Sequence, residues 1–322
     1  MLWGLLLPVC AFVGLGWIPS GRLYALDMLA AVQAQLLVMM LGVFVLGVVL
    51  RRWKFVACVG FLCVLAGYPL AQGRALLRPE FETNPPVTDA IRVVSININP
   101  RNERLDEDLE RVMGLDADVV VLIEVPPELS RAINRRGLLE GSAYPYWAHR
   151  AWVDEETSPG YILSRWPLEV LDSNEVGADG QHVLHTRIDA PAGSFVVGLL
   201  HPLSPRTEQR WRAGNAVITQ QARAAARRAE LSGLPMILGA DLNAGPAQHR
   251  ARVLRGSGLR QSKPLLRLGG SYPSGVGLPR ALMVQIDDVW WTGDLRVLAW
   301  SMLDIRGSDH RAVVVDFALG SD

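Results

Sequence analysis

Apolar residues are spread unevenly along this chain. Three long apolar stretches, Leu2 to Ile18, about Leu29 to Leu50 and Phe55 to Ala71, fill its front. Short β-branched runs interrupted by polar positions fill the rest. The second stretch approaches the roughly 20 residues that a helix needs to cross a bilayer, and the other two sit near the short limit. The pattern predicts a transmembrane region over residues 1–78 with about three helices. A signal peptide competes for the first stretch, but no Lys or Arg precedes it and no clear small-residue cleavage site follows before Arg22. A retained span is therefore the preferred reading. Arg51, Arg52 and Lys54 form the densest basic cluster between stretches, which puts that loop in the cytoplasm. Three spans then place the bulk of the chain outside, in the periplasm or cell exterior, anchored in an inner bacterial membrane.

Residues 79–89 carry Pro85-Pro86 and few apolar side chains, so they read as an extended linker. Beyond it, residues 90–322 form the expected catalytic domain. Buried strands are predicted at Ile91 to Asn97, Asp118 to Glu124, Tyr161 to Ser164, Phe195 to His201, Met236 to Asp241, Ile286 to Trp291 and Ala312 to Phe317. Helices are predicted at Leu105 to Met113, Pro126 to Arg136 and Thr207 to Leu231, the last stopped by Gly233-Leu234-Pro235. Strands alternating with helices imply an α/β sandwich. Trp290 and Trp291 are expected to straddle a sheet, one in the core and one at the surface.

Charge refines the picture. The 322 residues carry no formal net charge, yet six basic and only two acidic side chains fall in the first 80, which leaves the remainder mildly acidic. That balance argues against a long nucleic-acid face, which demands a basic surface, although single arginines can still hold a phosphate. Arg223, Arg227 and Arg228 on the long helix read as a solvated face. Cys10, Cys58 and Cys63 all lie in the apolar front, so the predicted catalytic domain can form no disulfide of its own.

Candidate chemistry sits at strand ends. In Leu238-Gly239-Ala240-Asp241-Leu242-Asn243-Ala244 an acid and an amide two residues apart close an apolar run, a spacing that aims both at one face. Gly307-Ser308-Asp309-His310-Arg311 opens another apolar run. Together they suggest a metal-assisted phosphoesterase site, with oxygens for a hard cation and an acid–imidazole pair for proton transfer.

Six separated motifs then agree in order and approximate spacing: Asn97 in Ser-Ile-Asn, Glu124 in Leu-Ile-Glu-Val, His201 in Leu-Leu-His-Pro, Asp241 and Asn243 in Gly-Ala-Asp-Leu-Asn-Ala, Asp287 in Ile-Asp-Asp-Val, and Ser308-Asp309-His310-Arg311. Over about residues 90–319 the chain resembles the deoxyribonuclease I-like endonuclease/exonuclease/phosphatase superfamily. The resemblance implies a four-layer α/β sandwich, two packed mixed β-sheets flanked by helices, behind the transmembrane region. It implies a hydrolase acting on a phosphate ester with Mg²⁺ or Mn²⁺. Glu124 resembles the principal metal ligand, with Asn97 and Asp309 beside it. Asp241 resembles the carboxylate that prepares water, and Asn243 the amide that holds a phosphate oxygen. His310 resembles the imidazole facing the scissile phosphate, Asp287 its carboxylate partner, and His201 a group assisting the leaving oxygen. The chain departs from the pattern where Ile123 stands in place of Gln, where Ala240 and Leu242 flank Asp241, and at Asp288, which adds negative charge expected near His310 or the metal.

The implied partners are a phosphate-ester substrate, whether nucleic acid, lipid or small metabolite, and the membrane; no protein partner is inferred. A non-catalytic tethered module of the same fold is the alternative. Loss of catalysis would remove the physical reason to gather so many charges.

Overall fold

Ile91 to Asn97 are buried without interruption, as expected of a strand covered on both faces. They belong to β1 (Ala90–Asn97), which runs parallel to β2 (Val119–Ile123) and antiparallel to β12 (Arg311–Leu319). The computed structural model describes residues 20–72, 74–75, 90–134, 142–150, 159–172, 184–267 and 269–320. The expected span Leu2 to Ile18, Cys10 and the linker 79–89 lie outside the described residues.

Two six-stranded sheets result. In the first, β3 (Tyr146–Arg150), β4 (Gly160–Ser164) and β11 (Leu295–Asp304) complete the order β11-β12-β1-β2-β4-β3. The second contains β5 (Leu168–Asp172), β6 (Leu184–Ala190), β7 (Gly193–Leu200), β8 (Met236–Asp241), β9 (Arg260–Gln261) and β10 (Asp287–Thr292) in the order β5-β6-β7-β8-β10-β9. Each sheet holds one parallel pair, β1/β2 and β7/β8, next to an antiparallel strand, β12 and β10 respectively. Both sheets are therefore mixed.

Strand alternation builds the layers. Val93, Val121, Val197, Ile237, Val289 and Val315 point between the sheets and form the central core. Their neighbours Val94, Val120 and Val314 face outward, where Val112 of α4 (Leu105–Met113) and Leu129 of α5 (Pro127–Asn134) cover them. On the other side Val196, Leu238 and Trp290 pack against Ile218 and Ala222 of α6 (Glu208–Ser232) and Leu254 of α7 (His249–Gly256). The predicted long helix forms with Thr207 as its N-cap, accepting from Arg210 N at 3.3 Å, and Gly233 in the left-handed conformation as its stop. Trp290 and Trp291 do alternate, but both are buried: Trp290 lies under the helices and Trp291 between the sheets. The expected surface position does not exist, because both faces of β10 are covered.

The front of the chain differs from three independent spans. Helix α1 (Tyr24–Ala30) and helix α2 (Gln33–Val49) form a pair bent by 54°, followed by α3 (Trp53–Ala71). Among the described residues no single helix is long and apolar enough to cross a membrane, although the bent pair passes on length and composition when taken together. Helices α2 and α3 make a hairpin, tied where Gln33 Nε2 donates to Ala66 O at 3.2 Å. At its open end Ala30 and Leu70 are buried against Ala247. Asp27, 1% exposed, accepts from Trp211 Nε1 and His249 N, both at 2.8 Å. The helical region is thus built onto the sandwich.

Candidate active site

The two parallel pairs end at the same place. Asn97 closes β1 and Asp241 closes β8, while Glu124 follows β2 and His201 follows β7. Asp287 opens β10, and His310 immediately precedes β12. Alternation aims Asn97, Asp241 and Asp287 into the space between the sheets, since Val93, Ile237 and Val289 on the same strands face inward at even spacing. Gly239 lets the sheets close beneath them. A Cβ there would meet Val121 Cβ at 2.7 Å.

Glu124 breaks the alternation: Ile123 already faces inward, so a continued strand would turn Glu124 away. A φ of +53° at Glu124 redirects the chain, a conformation disfavoured for a residue with a Cβ. Its Oε1 then lies 3.1 Å from His201 Nε2. Burial pushes the Glu124 carboxyl up, but the His201 hydrogen bond and charge, with His310 and Asn97, prevail and hold it at about 2. It is ionised at any working pH.

Asp241 is the hub. Its Oδ2 accepts from Asn97 Nδ2 at 3.0 Å, and both His201 Nε2 and His310 Nδ1 approach that oxygen to 3.9 Å. Its Oδ1 accepts from Asn243 N at 2.8 Å, in a turn where Asn243 takes a φ of +49°. Asp241 and Asp287 stand directly opposite each other across the antiparallel β8/β10 pair, an arrangement unfavourable for like charges. Burial first, then the Asp287 charge, raise the Asp241 carboxyl above its ordinary value. His310 relieves the pair. Its Nδ1 lies 2.9 Å from Asp287 Oδ2, and although burial opposes it, Asp287, Asp241 and Asp309 push the imidazole up to about 10.

The structure therefore brings together Asn97, Glu124, His201, Asp241, Asp287 and His310. Asp309 and Asn243 stand one step out. Asp309 Oδ1 accepts from Asn99 Nδ2 at 2.8 Å, and Asn243 Nδ2 donates to Pro202 O at 3.2 Å. Asp288 does not join the site. It falls on the other face of β10 and accepts from Gln285 Nε2 at 3.1 Å, because neighbouring strand residues point oppositely.

Three supporting residues have no role assigned from the sequence, although Ser308 lies in a motif. Asn99, at φ +69°, bridges Asn97 and Asp309, and its one cue is the Asn-Pro turn dipeptide. Ser308 Oγ donates to Asn97 O at 2.6 Å and accepts from His310 N at 3.0 Å, joining the two sequence motifs. Tyr272 packs its ring 5.0 Å from that of His310, from a loop in which no apolar period marks it.

Among the described residues Asp241, Asp287 and His310 bring one ligand atom each within 4.8 Å of one another. A His310 already joined to Asp287 and held cationic is a poor metal ligand, since only a neutral imidazole coordinates. The oxygen-rich side, Glu124 with Asn97, better suits a hard cation.

A family model for the endonuclease/exonuclease/phosphatase family matches residues 94–310. The chain belongs to that family. A search of curated proteins by sequence gives no match. Among solved structures it is similar to an endonuclease/exonuclease/phosphatase from Beutenbergia cavernae, with 19% identity, 72% of each chain covered and a TM-score of 0.53. It is also similar to a mannosyl-6-phosphatase from Bacteroides thetaiotaomicron, with 14% identity, 71% of this chain and 100% of that one covered, and a TM-score of 0.52. The D. rerio TDP2 structure with a single-strand DNA product matches at 14% identity over 71% of this chain and 98% of that one, with a TM-score of 0.52. At such identities the likeness is one of fold.

Proposed function

We propose that this chain is a membrane-tethered phosphoesterase that hydrolyses a phosphate ester by in-line attack of water, with Mg²⁺ or Mn²⁺ at its centre. The observation that carries the reading is Asp241, a buried carboxylate within 4 Å of two imidazoles and bonded to the Asn97 amide. Glu124, Asn97 and Asp309 would hold the cation. The donor chemistry fits, because four carboxylates (Glu124, Asp241, Asp287, Asp309) crowd two histidines and leave negative charge for a cation to balance. When bound, the cation neutralises phosphate charge and stabilises the departing oxygen.

The protein's own groups supply the rest. Asp241, made more basic by burial and by Asp287, accepts a proton from the attacking water. Asn243 orients a phosphate oxygen. His310, fixed by Asp287, presents a positive imidazolium to the charge that develops on phosphorus oxygens. His201 reaches the leaving side while holding Glu124 in place.

The tether reading rests on the hairpin. Seventeen residues of α2 rise about 26 Å, and Met39, Val45, Val49, Phe61 and Val64 turn apolar side chains outward. Its tip carries Arg51, Arg52 and Lys54, and its open end meets the sandwich, so the tip is cytoplasmic and the sandwich external. Reporter fusions after Leu50 and after Asp322 are expected on opposite sides; both on one side would refute that topology.

The activity test uses the full chain in detergent with bis(p-nitrophenyl) phosphate and p-nitrophenyl phosphate. Hydrolysis is expected with Mg²⁺ or Mn²⁺, and loss of it after chelation and in Asp241→Asn. Undiminished turnover after exhaustive chelation would remove the cation from the mechanism.

A further inference from the structure

A second charged cluster lies on the opposite face of β10 from the active site. Arg74, just past the hairpin, donates from Nε to Lys263 O at 3.1 Å and from Nη2 to Gln285 Oε1 at 3.3 Å. Lys263, 4% exposed, donates to Gly269 O and sits 5.7 Å from the centre of the Trp300 ring. Arg255 donates to Pro246 O at 2.8 Å and to Gln261 Oε1 at 3.4 Å. Every one of these acceptors is neutral. Among the described residues no ion pair reaches Arg74, Lys263 or Arg255; Asp288 is the one carboxylate that acts on Arg74 and Lys263, and none acts on Arg255. Burying cations in excess of anions is costly, and the imbalance is relieved when an anion enters.

A cavity of about 170 Å³ opens beside this cluster, between the hairpin and the sandwich. Arg74, Lys263, Arg267, Gln285 and Gln35 supply its polar lining. Gln35 Nε2 is held by Met283 O at 2.9 Å, whereas its buried Oε1 has no hydrogen-bond partner among the described residues. Its other walls are apolar: Ala34, Leu37, Val38 and Leu41 from α2, and Leu265 and Leu266 from the loop after β9. Val38 and Leu41 are also among the side chains that α2 turns outward, at 42% and 47% exposure. The cavity thus runs from a cationic floor to the apolar flank of the hairpin.

We propose that this cavity binds the phosphate head of an anionic phospholipid, with the acyl chains leaving along Val38 and Leu41. The inference rests on reading the hairpin as a membrane tether. A free anion would need only the cationic floor, whereas the walls and the opening match a head group joined to chains. The cavity is too small for a whole phospholipid, which requires that the chains lie outside it. It is distinct from the catalytic centre, since Asp287 bonds His310 at that centre whereas Asp288, on the opposite face of the strand, bonds Gln285 of the cavity lining. Burial first, then Arg74, pull the Lys263 amine down to about 7, a state that a bound phosphate reverses.

The test uses the full chain in mild detergent. Flotation with phosphatidylcholine vesicles reads the tether alone, and native mass spectrometry with phosphatidylglycerol or phosphatidylcholine reads the cavity. Expected are flotation with phosphatidylcholine, retention of one phosphatidylglycerol in preference to phosphatidylcholine, and no displacement by equal inorganic phosphate. Lys263→Met should weaken phosphatidylglycerol retention by about tenfold or more, the scale of one lost charge-assisted contact. Ala34→Trp, which fills the cavity from its exposed helical wall, should do the same without touching a cation. Absence of flotation would refute the tether and with it this site. Flotation with equal retention of both lipids, displacement by inorganic phosphate, or unchanged retention in Ala34→Trp would overturn the site and leave the tether standing.

Discussion

His310 Nδ1 lies 2.9 Å from Asp287 Oδ2, so the mouth of one sheet is tied to the first residue of a strand in the other. The bond spans the two halves of the sandwich and fixes an imidazolium beside Asp241. His310→Ala is expected to lower turnover by about a hundredfold or more, the scale of a positioned acid–base or electrostatic group. Asp287→Asn should cost much less in that background than alone, because coupled groups are non-additive. Steady-state kinetics on both single variants and the double variant, with folding checked by circular dichroism, decide it. Fully additive losses would mean that the two act independently.

Glu124 occupies a backbone conformation that costs energy, at φ +53°, and keeps an ionised carboxylate aimed at His201 and Asn97. A residue held that way for a cation should control metal affinity. Glu124→Gln is expected to raise the Mg²⁺ concentration for half-maximal turnover by about tenfold or more. A Mg²⁺ titration of activity measures this; an unchanged midpoint with reduced maximal rate would place Glu124 outside the cation's ligands.

Interior strands were legible because they are buried on both faces and read as continuous apolar runs: β1, β2, β4, β7, β8, β10 and β12 all fall where the sequence predicts. The four edge strands β3, β5, β9 and β11 did not register, and neither did β6. Tyr146–Arg150 and Leu184–Ala190 interleave His, Arg, Thr and Asp with apolar residues, which hides the period. The site was legible as strand-end polar residues in a familiar order, yet the pairing within it was not. Nothing local to Asp241 or Asp287 says that the two stand opposite each other, nor that Asp288 turns toward Lys263 and not toward His310. The hairpin's apolar length was visible. The attachment of the preceding helix α1 through Asp27 to Trp211 was not, since contacts across 184 positions leave no local trace.

Asp27 accepts hydrogen bonds from two groups near the active-site loops, and Tyr24 of the same helix donates to Pro205 O at 2.9 Å in the loop after His201. Asp27→Ala leaves Trp211 Nε1 and His249 N without that acceptor in a buried setting. The expected cost is about 2–4 kcal/mol, from two donors at ~1–2 kcal/mol each. Thermal unfolding of the full chain measures it. By the same reasoning a fragment of residues 90–322 should melt below the full chain, and equal midpoints would show that the helical region adds no stability.

Lys263 gives a pH signature with a definite sign. Its folded-state value of about 7 lies below the ordinary 10.5, so the folded chain disfavours the charged amine. The destabilisation is complete below about pH 7, where both folded and unfolded chains carry the proton. It shrinks as pH rises and vanishes above about 10.5, where both have lost it. Lys263→Met removes the titrating group and keeps the buried stem, so in lipid-free detergent the variant should be the more stable protein at pH 6. Its advantage should decline by about 1.4 kcal/mol per pH unit between 7 and 10. Melting curves of both proteins at pH 6, 8 and 10 test this. An advantage that stays constant with pH would show that Lys263 keeps its charge throughout, and one that grows with pH would reverse the sign of the burial effect.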